Sequence, residues 1–578
     1  MSAPDRTIAR VLCDASGPDR AFDYEVPPTL VGTIEIGTQV RVDLNGRRIG
    51  GWVVAIESSR DSIDRELLPI RKVSGVGPDE EVVEVSRWAA HRWAGRWSHF
   101  LRAASPPRHV TRVGASLRTV MSPEPRSPAT TRALVAGGAV LRLPPTSDVL
   151  PAVWSCLQRG SVLVLVPGID DAKVLAARVR RAGSSVALLP DEWARSAAGV
   201  DVVIGTRTAI FGRCTDLQSV LIIDEHDERY YSEASPTWNA RDVAVERCRR
   251  LSIPLVLISS VPSPEAAVDR EIIAPSRDRE VAGWPNIVVA PLRDDAAPAV
   301  GRLSSEVIAE LRDQQRRVLC IANTSGRSAL LSCRACSELV RCEHCDAVVS
   351  QRSDAQLSCR VCGSERPAVC VSCGSTALLN LRPGVRRLVE ELAAAGNREA
   401  RVIEGDEEPS WKDGAVSAEI IVGTEALLHR IRFAESVVFL DFERELFAPR
   451  MRAVQHASEL VARAARIVGR VADGGRVVLQ VDHRGHPLVE ALSRVDPAAV
   501  TEHEIATRKM LSLPPFGSVA FIEGHGAQEF VAHVQGDVMV GGLGESVQVR
   551  ATSAELLADA LAHGVRPARG RLRVAVDP

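Results

Sequence analysis

Lysine is nearly missing from this chain. Of its 71 lysine and arginine residues, only four are lysine: Lys72, Lys173, Lys412 and Lys509. None of them follows a glycine. That excludes the loop Gly-x4-Gly-Lys-Ser/Thr, in which backbone N–H groups and one ammonium hold nucleotide phosphates. A run of about 18 consecutive apolar residues is also missing, so no stretch reads as a membrane helix. The opening stretch MSAPDRTIARVLCD carries charges where a secretory signal would carry an apolar core. A cytoplasmic protein is expected. Excess charge of one sign is missing too: the formal net charge is -2. Any attraction to nucleic acid must therefore come from local sites.

What is present reads as an ordinary globular composition, with 45% hydrophobic and 25% charged residues in 578. That length suits about three or four domains. Residues 1–110 read as a mostly β module, with two β-rich runs around Asn45-Gly46, a strong hairpin signal. The stretch PDEEVVEVSRWAAHRWAGRWSHFLRAA reads as a helix ended by Pro106-Pro107. In it Trp88, Trp93 and Trp97 are interleaved with Arg87, Arg92 and Arg96, a pattern that stacks on nucleic acid or packs inward with solvated arginines. Residues 111–130, rich in Ser, Pro and Arg, read as a linker. Short β-branched runs then alternate with helical segments over 131–282, and again over 283–332 and 374–489. This is the pattern of two parallel-sheet α/β lobes. Residues 490–578 read as a small α+β domain.

Thirteen cysteines are present, and eight of them fall within residues 333–373. Cys13, Cys156, Cys214, Cys248 and Cys320 stand singly in apolar or helical contexts and read as small buried hydrophobes. The eight form four Cys-x2-Cys knuckles: Cys333/Cys336, Cys342/Cys345, Cys359/Cys362 and Cys370/Cys373. Eight thiolates make two tetrahedral four-cysteine zinc sites, structural because no position stays open for water. His344, inside the second knuckle, reads as a bystander.

The stretch VLIIDEHDERYY ends an apolar run in Asp224, Glu225, His226 and Asp227. In nucleotide-driven motors such a strand tip grips magnesium and orients a water on the triphosphate. The partner loop belongs just before the helix that precedes SVLVLVP. There the chain reads LRLPPTSDVLPAVW, and Pro144-Pro145 removes two N–H donors.

An α/β two-lobe core interrupted by four such knuckles resembles the PriA family of bacterial primosomal replication-restart proteins. The segments AFDYEVP, GTQVRV, WAAHRWAGRWSHFLRAASPPRH, LVLVPGI, IGTRTAIF, LIIDEHDERYY, WNARDVA, LISSVPSPEA, NTSGRSALLSCRACSELVRCEHCDAVV, IIVGTEAL and LSLPPFGSVA fall in the family's order. The resemblance implies two RecA-like helicase lobes, here degenerate, with a double-zinc insertion at 333–373. It also implies an N-terminal, mostly β domain that binds a DNA 3′ end. Nested zinc pairing follows from it as well. Cys333, Cys336, Cys370 and Cys373 share one ion, and Cys342, Cys345, Cys359 and Cys362 share the other. The 3′-end pocket carries over to Phe22, Asp23 and Tyr24, with Gly37 as the close-approach glycine and Arg71 or Lys72 as a basic partner. Aromatic rings offer stacking faces, and a carboxylate accepts the terminal hydroxyl's hydrogen bond. The same strand alternation also suits Phe22 and Tyr24 as core residues.

The departures concern the motor. The phosphate loop is gone, and the acidic motif is one residue shorter than the family's Asp-Glu-Glu-His. The arginine motif reads RAARIVGR, keeping Arg466 and Arg470. A winged-helix module after the first domain is missing. Such decay resembles the actinobacterial branch, and the arginine bias suits a GC-rich genome. The acidic tip is thus expected to be a relic that caps a strand end, with no ATP or magnesium chemistry. The expected function is a replication-restart protein that binds stalled forks and branched DNA with a free 3′ end and promotes primosome assembly without unwinding. Expected partners are primosome proteins, single-stranded DNA-binding protein and the replicative helicase or its loader, at the nucleoid. The alternatives are an active 3′–5′ helicase with a substituted nucleotide site and a zinc-ribbon interaction protein with no DNA role.

Overall fold

A computed structural model of the chain describes residues 6–15, 19–59, 67–119, 123–292, 303–322, 331–333, 335–336, 340–344, 349–353, 356–359, 364–380, 384–403, 419–448, 450–481, 485–566 and 572–578. Cys345 and Cys362 lie outside them. The chain forms two compact units, residues 1–277 with 497–578, and residues 278–496.

The first unit opens with a five-stranded antiparallel sheet. Its order is Ala21–Glu25, Arg6–Cys13, Arg47–Ser59, Gln39–Leu44, Lys72–Gly75. Alternation sets its two faces: Val40 and Val42 are fully buried while Arg41 between them is exposed. The expected hairpin turns at Asn45 (φ 50°) and Gly46 (φ 75°), both in the left-handed region that this tight turn needs. The sheet also starts to close on itself, because Glu25 donates to Leu68 O at 3.0 Å and accepts from Ile70 N at 2.9 Å.

The long helix expected after it is two helices, Glu80–Arg92 and Trp97–Ala104. Asp79 caps the first by accepting from Val82 N, and Ala94 breaks it with φ 45°. Gly95 sits where a Cβ would meet Pro236 at 2.5 Å, so the break is packed in place. Trp93 is 1% exposed and Trp97 donates its indole N–H to Ser86, so the tryptophans face the protein. The expected linker is partly structured: Leu117 N donates to Gly199 O, and the helix Pro128–Val135 starts inside it.

A seven-stranded sheet follows, with the order Ile272–Ile273, Gly138–Arg142, Leu255–Ser259, Leu217–Ile223, Ser161–Leu165, Val202–Gly205, Val186–Leu188. All its pairings are parallel. Ser161–Leu165 is buried at every position, as a strand covered on both faces requires. The C-terminal segment adds a four-stranded antiparallel sheet, order Met539–Leu543, Ser546–Ala551, Ser518–Gly524, Leu572–Val576. One apolar cluster joins Val82, Trp93 and Phe100 of the first domain, Leu163 and Ile222 of the parallel sheet, and Ile522, Val549 and Val574 of the C-terminal sheet.

The second unit holds a six-stranded parallel sheet, order Asn286–Pro291, Arg476–Val481, Ser436–Phe439, Val318–Ile321, Ile420–Gly423, Ala400–Val402. Short antiparallel pairs carry the cysteines: Leu331–Cys333 with Leu378–Asn380, and Val349–Ser353 with Gln356–Cys359 and Glu365–Pro367. The architecture is the expected α/β class: two lobes built on parallel sheets, a cysteine insertion, a β-rich first domain and a small α+β tail.

Candidate functional site

In a parallel α/β sheet, ligands collect at the carboxyl ends of the strands. In the first lobe those ends are Arg142, Ser259 and Ile223, on neighbouring strands. Asp224, Glu225, His226 and Asp227 follow Ile223, and all four are buried. Each is held by the protein. Glu225 accepts from Ser263 N and Ser263 Oγ, both at 2.8 Å, and from Arg241 Nη1 at 3.2 Å. His226 Nδ1 lies 2.7 Å from Ser259 Oγ. Asp227 accepts from Arg229 N and Nε at 2.9 Å and from Arg229 Nη2 at 2.7 Å. The Arg241 and Glu225 side chains are 4% and 0% exposed. The network continues through Glu265, 3.9 Å from Arg241 and 3.0 Å from Arg508.

Residues 143–149 leave the strand Gly138–Arg142, next but one to the strand that ends in this tip. Leu143 N donates to Ser259 O at 3.0 Å, and the chain then runs through buried Pro144 and Pro145 to the helix Leu150–Leu157. Three prolines, Pro144, Pro145 and Pro151, supply no N–H. Of the remaining amides, Ser147 N is spent on Pro144 O and Leu150 N on Asp148 Oδ1. Asp148 also takes Arg178 Nη2 at 2.9 Å on both oxygens. A carboxylate thus occupies the helix N-terminus that would otherwise favour a phosphate, and it repels one.

The outer knuckles converge. The sulfurs of Cys333, Cys336, Cys370 and Cys373 all lie within 4.8 Å of one another. The Cys333–Cys373 and Cys336–Cys370 separations are 3.4 and 3.7 Å. Sulfurs about 2.3 Å from one tetrahedral ion stand about 3.8 Å apart, so this group fits a metal without rearrangement. The backbone N–H of Cys336 is the largest influence on the Cys333 thiol and helps bring it down to about 6. Of the inner knuckles, Cys342 and Cys359 are described, and both are buried in one cluster with Val340, Val349 and Leu357. Glu425, Glu445 and His456 form another compact group. His456 Nε2 is 3.0 Å from Glu425, and Glu445 is paired at 2.7 Å with Arg450, so a guanidinium already answers that charge. Of the arginine motif, Arg470 is paired with Asp473 at 2.9 Å and Arg466 is exposed on the helix Ala453–Val468.

The residues carried to the 3′-end pocket divide by face. Tyr24 is 3% exposed, inside the sheet's core, and donates its hydroxyl to Asp43 O at 3.1 Å. Its ring is therefore a core ring and offers no face to a base here. Phe22 packs partly against the same core, with Arg20 over its ring at 4.9 Å. Asp23 points the other way, 40% exposed, and takes Arg10 Nε at 3.0 Å on Oδ1. Its Oδ2 makes no hydrogen bond among the described residues. Gly37 is required by the fold itself. Its φ is +88°, and a Cβ there would meet Pro78 O at 1.6 Å. Arg71 Nε donates to Asp43 Oδ2 at 2.6 Å, which joins it to the Tyr24 end of the sheet, and Lys72 is exposed on the adjoining strand. Sequence reasoning missed Arg10, Arg41, Asp43 and Arg241. Only strand register or a tertiary contact brings each of them to its partner.

Residues 10–106 match the family model of the 3′DNA-binding domain (3′BD). Over 413 residues the chain is 26% identical to the replication restart protein PriA of Bacillus subtilis, covering 65% of this chain and 51% of that protein. The probable replication restart protein PriA of Mycobacterium leprae is 27% identical over 588 residues, 88% of this chain and 86% of that protein. The chain spans about half the length of the Bacillus relative and of the Haemophilus influenzae PriA, where the share is 48%. Among solved structures, the Escherichia coli DEAH/RHA helicase HrpB aligns over 62% of this chain and 42% of its own. Its identity of 13% and TM-score of 0.33 are too loose to carry an argument.

Proposed function

We propose, on the premise that the chain is a relative of the replication restart proteins PriA, that it binds abandoned replication forks and branched DNA through a free 3′ end. In this reading it promotes primosome assembly and reloading of the replicative helicase, and it does not unwind DNA itself. The observation that carries the reading is the match of residues 10–106 to a 3′DNA-binding domain. Asp23 supports it chemically. Its second oxygen is left to accept a hydrogen bond from a terminal 3′ hydroxyl, and a terminal phosphate would meet the same charge and be rejected. The reading keeps Phe22 as the aromatic partner of the terminal base and Arg71 or Lys72 as the positive one.

Two zinc ions, one on Cys333, Cys336, Cys370 and Cys373 and one on Cys342, Cys345, Cys359 and Cys362, would hold the insertion in shape; four sulfurs per ion leave no site for chemistry. The protein partners proposed are primosome proteins, single-stranded DNA-binding protein and the replicative helicase or its loader. Retention of Asp224 to Asp227 favours a second reading, an ATP-dependent helicase with a substituted site. Asp148 at the helix N-terminus and Arg241 on Glu225 weigh against it. The test is binding of two forks that differ only in a 3′ hydroxyl or 3′ phosphate on the leading strand. Tighter binding of the hydroxyl fork, lost in Asp23→Ala, is expected. Equal affinities contradict the reading.

A further inference from the structure

The outer face of the first sheet carries cations beyond the one, Arg71 or Lys72, that the 3′-end pocket would use. Arg41 of Gln39–Leu44 stands directly opposite Lys72 of the edge strand on one side and opposite Gly50 on the other. Residues directly opposite on antiparallel strands share a face, and like charges so placed destabilise the pair. Neither Arg41 nor Lys72 has a carboxylate partner among the described residues. Two residues along, Asp43 stands opposite Arg48 and shares that face. It is the acid that reaches these cations, and it already holds Arg71 at 2.6 Å and Arg48 at 3.7 Å; Asp23, Glu25 and Glu57 share the face along the other strands, where Asp23 and Glu57 take Arg10. Around Asp43, four cations therefore stand against one carboxylate. Arg48 and Arg71 keep side-chain exposures of 64% and 45%. The guanidinium of Arg41 lies over Gly50, 3.7 Å from where a Cβ would be, so no side chain rises between the strands to shield it.

This array breaks a local rule of sheet pairing with no internal compensation, which is where function is to be sought. We infer that the face of Arg41, Arg48, Arg71 and Lys72 tracks the phosphate backbone of a duplex arm beside the DNA end. The inference rests on the reading of this domain as a DNA-end binder and adds to it a second contact with a separate chemistry. Charge complementarity names the occupant. The chain as a whole is close to neutral at -2, so this face is a local concentration of the positive charge that a polyanion needs. Contacts of this kind position the protein without reading sequence, and they make affinity depend on salt.

The double variant Arg41→Gln, Arg48→Gln tests it, leaving Phe22, Asp23, Arg71 and Lys72 in place. Binding is titrated at several salt concentrations with the full chain. One ligand is a primer–template duplex with a recessed 3′ hydroxyl; the other is a single strand with the same 3′ end. On the duplex, the slope of log affinity against log salt is expected to lose about 2 units, since each phosphate contact contributes about 0.9. On the single strand the slope should not change, and the preference for 3′ hydroxyl over 3′ phosphate should survive on both. An unchanged slope on the duplex, or an equal loss on the single strand, overturns the inference. Absence of 3′ hydroxyl preference in the unaltered protein overturns the end-binding reading instead. An unfolding scan of the variant matching the unaltered protein keeps a folding defect from mimicking the result.

Discussion

Arg241 reaches the carboxylate of Glu225 at 3.2 Å, and neither side chain is more than 4% exposed. Glu225, just past the carboxyl end of its strand, is neutralised by a helix of its own lobe. Ser263 takes up the remaining acceptor sites. Arg241 then leans toward Glu265, and Glu265 binds Arg508 from the C-terminal segment at 3.0 Å. The acidic tip has become an internal joint between the parallel sheet and the chain's last domain.

That joint predicts a stability effect. Arg241→Met leaves Glu225 buried without its cation and Glu265 with Arg508 alone, and should cost about 3–5 kcal/mol. Glu225→Gln keeps one acceptor oxygen, so either Ser263 N or Arg241 Nη1 is left facing an amide NH2, and it should cost about 1–3 kcal/mol. Urea unfolding followed by circular dichroism measures both. A stability unchanged by Arg241→Met would mean that the contact contributes nothing.

Metal content is the second prediction. Reduced protein should carry two zinc ions per chain by elemental analysis. Cys333→Ser and Cys345→Ser should each release one, and the first unit should keep its unfolding transition because its core is separate. One ion or none in the unaltered protein would contradict the assignment.

Gly37 gives a third. Its positive φ and the carbonyl of Pro78 at the Cβ position leave no room for alanine. Gly37→Ala should destabilise the first domain by at least about 2 kcal/mol, seen as a lower unfolding midpoint with or without DNA. A glycine needed only for close approach of DNA would lose affinity and keep its stability.

Much of this was legible in the sequence because the signals are local. The knuckles are two-residue spacings, the hairpin is Asn45-Gly46, and the covered strands are short apolar runs. The absence of a Gly-x4-Gly-Lys-Ser/Thr loop was legible as a missing lysine and two prolines. The sequence did not reveal what took its place. Asp148 accepting from Leu150 N at the helix start while bound to Arg178, thirty residues on, is a tertiary event. The break at Ala94 was hidden because nothing in WAAHRWAGRW but one glycine opposes a helix, and Pro236 packing against Gly95 is what fixes it. Tyr24 read equally well as a pocket or a core residue. Its hydroxyl bond to Asp43 O depends on the sheet curling far enough to join Glu25 to Leu68, which strand patterns do not encode.

The central claim is that this chain engages forked DNA without running a motor. The most direct test is ATP turnover by the purified full chain with a saturating concentration of forked DNA carrying a 3′ hydroxyl, under conditions where binding of that fork is measured in parallel. The account predicts fork binding with no DNA-stimulated hydrolysis above background. Hydrolysis that rises with the fork and falls in Asp224→Ala would contradict it.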